Sequence, residues 1–164
     1  MTTYDENPIS ALRRHCRMYL YGASGWPELT VNEAAQNFFT FALLQLTCTM
    51  FITTDPPDRR QGVFHRTLDP MGHSDLLTEI DDILGSPLGK ATLRQFIRSK
   101  RNKLATHGNV AFSSQPHDVR DVSFDQESLE KFQDAMTRLD RAVFLLEQKL
   151  SHLDATGMGP EQEH

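Results

Sequence analysis

Residues 125–153 read DQESLEKFQDAMTRLDRAVFLLEQKLSHL, and their pattern indicates the fold class of the chain. Apolar residues recur at alternating spacings of three and four over more than three heptads, which predicts one long helix with a single apolar face. That face is made by Leu129, Phe132, Met136, Leu139, Val143, Leu146, Leu150 and Leu153. It either packs on the second predicted helix within the same chain, or part of it also forms the seam of a dimer.

Working outward from this helix, we predict three more long helices and a short one. The long helices are expected at 8–21, 30–52 and 87–107, and the short one at 74–84. Thr30 and Glu33 have the spacing of a capping box at the start of the second helix. Apolar residues surround that helix on nearly every side, so we expect it to be central and the most buried. No stretch alternates with period two, and the sequence therefore predicts an all-α, up-down bundle without strands.

Length and composition fit one domain at residues 1–154, followed by a tail at 155–164 that we expect to be disordered. The most apolar stretch, 38–52, is too short to span a bilayer, and the acidic N-terminus is unlike a signal peptide. The two cysteines, Cys16 and Cys48, are too few for a disulfide framework or a four-ligand zinc site. We therefore expect a cytoplasmic protein that makes no use of the membrane, a metal or a cofactor.

Residues 53–73 are predicted to form a long polar loop that contains five candidate metal ligands, namely His65, Asp69 and His73 together with Asp55 and Asp58. Their spacing matches no compact ligand set, so we expect them to be solvated. The same loop interleaves basic and aromatic residues, a combination that can contact single-stranded RNA by charge and stacking. These residues are Arg59, Arg60, Phe64, His65 and Arg66.

A basic segment, KATLRQFIRSKRNKLATHGNV at 90–110, differs from the rest of the chain. It holds six basic and no acidic residues, whereas the remaining chain carries 11 basic and 22 acidic ones, giving a net charge of -5 overall. A concentrated positive patch on an acidic protein is typical of phosphate binding. The alternative is a solvated helix face that pairs with acidic neighbours. In the first interpretation the basic side chains bind RNA, and in the second they form ion pairs with nearby carboxylates. The basic residues are Arg94, Arg98, Lys100 and Lys103, and the carboxylates are those of residues such as Asp75, Glu79, Asp81 and Asp82.

The helical geometry of this segment places Arg101 and His107 on opposite flanks of an apolar seam. At 100° per residue they lie about 120° apart, and Asn102 faces away from the seam. The two side chains meet at one phosphate only if Arg101 reaches across or if a second copy of the helix lies alongside. His107 stands in the last helical turn, where the negative end of the helix favours its protonated form.

Arg101-Asn102 followed by four residues and His107 resembles the signature of the HEPN superfamily (higher eukaryote and prokaryote nucleotide-binding domain). The setting is also similar to that of the family, since the motif lies near the end of a helix and a long helix follows it. The resemblance implies a HEPN-like helical fold and a homodimer in which two such motifs form one cleft. It also implies metal-independent RNA cleavage that leaves a 2′,3′-cyclic phosphate.

Carried over to this chain, the resemblance implies that His107 transfers protons, Arg101 stabilises the charged phosphorane, and Asn102 orients the histidine or the phosphate. Many members are toxins of toxin–antitoxin pairs or effectors of phage defence, so an antitoxin or regulatory partner is expected as well. Others have lost activity, and the competing interpretation is an inactive helical module that binds RNA, a nucleotide or a protein. Asn109 stands where one subgroup has a Tyr, so adenylylation at that position is not expected.

Overall fold

The computed structural model of the chain describes residues 7–25, 33–52, 62–106 and 126–157, and these residues are mostly helical, as the sequence predicts. Six α-helices and one short hairpin make up the described part. The helices are α1 (Pro8–Gly25), α2 (Glu33–Phe51), α3 (Val63–Leu68), α4 (Thr78–Leu84), α5 (Leu93–Thr106) and α6 (Gln126–Ala155). Some of the predictions fall outside the described ranges. Two of them concern Thr30, predicted to cap the second helix, and residues 158–164 of the predicted tail.

The long helix α6 is present as predicted, and its apolar face is buried within the chain. Leu139, Val143, Leu146 and Leu150 are each no more than 2% exposed. They pack mainly on α1 and also on α4. The prediction that this face packs on the second helix is wrong, since the described residues of α2 pack chiefly on α5, α1 and α3. The reason is that α1 has its own apolar stripe, at Ile9, Leu12, Cys16 and Tyr19.

Polar contacts along one edge of this pair set the antiparallel register of α1 and α6. Arg13 bonds Asp154 at 2.6 Å near one end, and Arg17 bonds Glu147 at 3.0 Å. At the other end the buried Tyr19 hydroxyl donates to Asp140 at 2.7 Å. A shift of one helix along the other by one turn would break all three contacts. The apolar faces by themselves have little preference for one register, so the polar contacts select the register of the pair.

Helix α1 is longer than predicted because Gly22 does not end it. A Cβ on Gly22 would lie 3.2 Å from Cδ2 of Leu43, so the missing side chain lets α2 approach α1 closely. The contact with α2 outweighs the low helix propensity of glycine. The helix continues by three residues, to Gly25.

The predicted loop at 53–73 contains a helix, α3, at Val63–Leu68. Phe64 explains why this polar segment folds, since its side chain is fully buried and its ring centroid lies 5.0 Å from that of Phe51 in α2. One well-placed aromatic anchors a helix too short for its periodicity to be recognised. The predicted short helix at 74–84 is present, as a 3-10 turn at Ser74–Leu77 that continues into α4.

A small antiparallel hairpin precedes α5, and the predictions of a helix from Pro87 and of no strand are both wrong here. Strands β1 (Pro87–Leu88) and β2 (Ala91–Thr92) pair across a two-residue turn. Gly89, at the first central position, has a φ of 63°, which glycine adopts without strain. Helix α5 then starts with a capping box in which Thr92 and Gln95 bond each other's backbone N–H.

Replacing Asp154 by Asn tests the polar edge between α1 and α6. Hydrogen bonds from Arg13 and Ser10 lower the pKa of Asp154 below its usual value, so its ionised form stabilises the folded protein. That stabilisation is present above the pKa of the unfolded chain and is lost as the pH falls through the lower, folded-state pKa. We expect Asp154→Asn to reduce the free energy of unfolding at pH 7, with a difference from wild type that shrinks toward pH 2.

Urea unfolding followed by circular dichroism at several pH values measures this difference. Asp134→Asn is the matched control, because within the described residues Asp134 lies exposed on the same helix and makes no ion pair or hydrogen bond. An Asp154→Asn variant with the same unfolding midpoint as Asp134→Asn at pH 7 would contradict the assigned role of Asp154.

Replacing Gly62 by Ala tests the seating of α3 on α2. Gly62 is buried at the start of α3, and a Cβ there would overlap the Met50 carbonyl oxygen and lie 2.5 Å from the Phe51 nitrogen. Backbone atoms cannot rotate away as a side chain can, so α3 must shift. We expect a loss of about 3 kcal/mol in the free energy of unfolding. Thermal denaturation checks this, and a variant as stable as the control Ser99→Ala would contradict it.

Candidate functional site

Helix α5 lies with its apolar seam against the core and its basic residues on either side. Leu93 and Ile97 are at most 1% exposed, which confirms this part of the predicted seam. The ring of Phe96 packs edge-on against Phe132 of α6, with centroids 5.3 Å apart. Basic residues lie on both flanks of the seam. They therefore contact different neighbouring elements, and the surroundings of the individual basic residues differ.

Arg101 is half-buried on the side of α5 that faces α2. Its Nε atom is buried and has no hydrogen-bond partner. The thiol of Cys48 in α2 lies close enough for the positive charge of Arg101 to act on it. Burial raises the pKa of Cys48, and the charges of Arg101 and Arg98 oppose that rise. Within the described residues no carboxylate forms an ion pair with Arg101, so its charge is not neutralised there.

Arg98 and Lys100 occupy the more solvent-accessible part of α5. Arg98 is exposed, whereas Lys100 is half-buried, with its ammonium group 5.7 Å from the centroid of the Phe96 ring. A cation over an aromatic face keeps its charge, but its side chain loses some conformational freedom. Arg98 is therefore the basic residue of this set that presents its side chain most openly to an anion in solution.

Arg94 is bound to a carboxylate, which the sequence analysis considered as the alternative to RNA. Its Nη2 atom lies 2.6 Å from Oδ1 of Asp81 in α4, and the other carboxylate oxygen, Oδ2, lies 2.8 Å from Nε2 of His65 in α3. One carboxylate thus joins three helices. The prediction that His65 is a solvated loop residue is wrong, because its side chain is 14% exposed and bonded to Asp81.

Asp81 was one of four acidic residues predicted as alternative partners of the basic segment, and the sequence did not distinguish it from the other three. Its partners are 16 residues before it and 13 after it, and no local pattern marks such distances. Burial raises the pKa of Asp81, but the hydrogen bonds and charges of His65 and Arg94 more than reverse this and leave the pKa lowered. Asp81 is therefore ionised at neutral pH, and it neutralises Arg94.

Three of the predicted site residues cannot be located in this arrangement. His107 lies outside the described residues, as do the side chains of Asn102 and Lys103. Among the residues that are described, no group of three or more His, Cys, Asp or Glu side chains is placed to hold a metal ion. In the same ranges no helix combines the length and apolar character needed to cross a membrane.

Comparison of the chain with protein-family models, curated proteins and solved structures finds no match. The feature that best suits ligand binding is a basic stripe along α5, made by Arg94, Arg98 and Arg101. These three arginines are spaced by four and three residues, so they share one side of the helix.

The two cysteines, one in α1 and one in α2, provide a test of how deeply the core of the fold is buried. Burial raises the pKa of Cys16 to about 12, with a further rise from the charge of Glu147, and it raises the pKa of Cys48 as well. At pH 8 only about one Cys16 side chain in ten thousand would be a thiolate, the reactive form. We expect neither thiol to react with an aromatic disulfide reagent in the native protein, and both to react after unfolding in urea. Rapid reaction of a native thiol would contradict this packing.

Proposed function

We propose that this chain is a metal-independent endoribonuclease of HEPN type that works as a homodimer. The observation that carries the proposal is the state of Arg101, a half-buried arginine to which no carboxylate is bonded within the described residues. A guanidinium held in this way favours binding of an anion, and RNA phosphate matches its paired N–H groups. The helical fold, the motif from Arg101 to His107 and the basic stretch around it give further support.

In the proposed reaction the 2′-oxygen of a ribose attacks the adjacent phosphorus, and the bond from phosphorus to the 5′-oxygen breaks. His107 accepts the proton of the 2′-hydroxyl, and the departing 5′-oxygen takes up a proton from the His107 of the second copy. Arg101 stabilises the charge that grows on the phosphorane oxygens. Asn102 orients the histidine or the phosphate. The products are a 2′,3′-cyclic phosphate and a free 5′-hydroxyl, and every proton is accounted for by side chains.

The residues around this centre are assigned to substrate binding. Arg98, Lys100 and Lys103 contact neighbouring phosphates, and Arg94 does so once it is released from Asp81. The biological role we propose is that of a cytoplasmic toxin or anti-phage effector, held in check by an antitoxin or a regulatory protein.

A second candidate is an inactive helical module that binds RNA, a nucleotide or a protein. It is favoured by one observation, namely that Asp81 already neutralises Arg94, which reduces the charge available to a substrate. The two candidates make different predictions for cleavage, because binding by itself does not require His107.

RNA cleavage in the presence of EDTA tests the nuclease. We expect wild type to cut single-stranded RNA and Arg101→Gln and His107→Ala to lose at least 100-fold in rate, since each removes a group acting on the transition state. Product ends are analysed for the 2′,3′-cyclic phosphate. Glutamine keeps much of the apolar stem of Arg101, and circular dichroism checks that each variant is folded.

Two matched control variants separate the proposed site from general loss of positive charge. Arg138→Gln and His152→Ala change the same residue types on α6, where both side chains are exposed. Their cleavage rates are expected to equal that of wild type. Cleavage that falls equally in the controls, or persists in both site variants, would contradict the proposal. RNA binding without cleavage by any form would favour the inactive module.

A further inference from the structure

The link between Asp81 and Arg94 places a carboxylate where an RNA phosphate would otherwise bind. Asp81 Oδ1 lies 2.6 Å from Nη2 of Arg94, a distance at which the carboxylate competes with any other anion for the guanidinium. Yet the link is incomplete, since Nε of Arg94 is buried without a hydrogen-bond partner. The carboxylate therefore satisfies only one of the five N–H donors of the guanidinium.

We propose that Asp81 is an internal competitor that occupies Arg94 in the RNA-free protein, and that an RNA phosphate displaces it. Asp81 then lowers the affinity for single-stranded RNA without changing the number of phosphates contacted in the complex. The inference rests on the proposed function for RNA binding, but it does not require that the bound RNA be cleaved.

The accessibility of the pair makes this exchange feasible. The side chains of Arg94 and Asp81 are 39% and 36% exposed. Ion pairs that are this accessible to water stabilise a fold only weakly, because solvent screens both charges. A phosphate arriving with neighbouring phosphates already bound to α5 can therefore compete with the carboxylate.

His65 explains why Asp81 remains stable when Arg94 leaves. Its Nε2 atom stays 2.8 Å from Oδ2 of Asp81, so the carboxylate keeps a hydrogen-bond partner on the other oxygen. A carboxylate that lost its only hydrogen-bond partner within the protein would resist the exchange more strongly. His65 belongs to α3, and the buried side chain of Phe64 anchors α3 to the core. The position of His65 therefore does not depend on α5.

The released Arg94 would extend the basic stripe rather than act alone. Arg94, Arg98 and Arg101 share one side of α5 and span about 10 Å of helix. Arg98 is already exposed, and no described carboxylate bonds Arg98 or Arg101. Displacement of Asp81 would therefore add one phosphate contact to this side of α5.

The test compares Asp81→Asn with Asp82→Asn, which remove the same charge from adjacent positions. Asp82 is exposed, and within the described residues its side chain bonds no basic group. The probe is a fluorescent single-stranded 2′-O-methyl oligoribonucleotide, which lacks the 2′-hydroxyl needed for cleavage. Anisotropy titrations between 50 and 200 mM salt give the affinity and its salt dependence for each protein.

We expect Asp81→Asn to bind about three- to tenfold more tightly than wild type, and Asp82→Asn to bind within about twofold of it. The slope of log affinity against log salt should be the same for wild type and Asp81→Asn, because Arg94 contacts a phosphate in either complex. A slope steeper by about 0.7 in Asp81→Asn would mean that no phosphate displaces Asp81 in wild type, and would overturn the proposal. In an Arg94→Gln background the effect of Asp81→Asn should vanish, because the residue that Asp81 occupies is then absent.

The other results separate the two proposals. RNA binding by wild type with no gain, or a loss, in Asp81→Asn overturns the competitor role and leaves the proposed nuclease standing. A gain that survives in Arg94→Gln also overturns it, since the effect then does not act through Arg94. No binding by any variant overturns both proposals, whereas tight binding without cleavage of natural RNA overturns only the nuclease.

Discussion

Burial of the apolar face of α6 against α1 is the constraint on which the rest of the structure depends. Leu139, Val143 and Leu146 on one helix meet the stripe of α1, and both helices are thereby committed to one long antiparallel contact. Apolar packing is non-directional and selects no register. The register comes from the polar edge, where Arg13 and Tyr19 hold α6 by its carboxylates. Helix α5 packs outside this pair of helices, against α2 and α4.

This frame explains why the basic side of α5 is not a uniform cationic surface. Three arginines from one stripe reach three different surroundings. Arg98 faces solvent, Arg94 meets the carboxylate of Asp81, and Arg101 is half-buried near Cys48. Three arginines on one side of a helix are thus neutralised to different degrees, because the neighbours on α2 and α4 differ. The proposed phosphate contacts follow from that difference more than from the number of basic residues.

The long helices and the short helix at 74–84 were predictable from the sequence, whereas α3 and the hairpin before α5 were not. The long periodicity of α6 specifies a helix without help from its neighbours, and the prediction held to within two residues at its C-terminal end. Helix α3 depends on one long-range contact between Phe64 and Phe51, and the hairpin before α5 depends on the conformation of Gly89. Elements of two to six residues carry too little periodicity to be recognised, and packing or turn geometry then forms them.

The sequence by itself determined the mostly helical architecture, the apolar seam of α5 and the basic stretch beside it, because helical periodicity and local charge are properties of neighbouring residues. It also supplied the candidate motif from Arg101 to His107. Only the tertiary structure decided that α6 packs on α1 and that Asp81 joins His65 to Arg94. Contacts between residues 13 or 16 positions apart on separate helices arise from how those helices pack, and no local pattern encodes them.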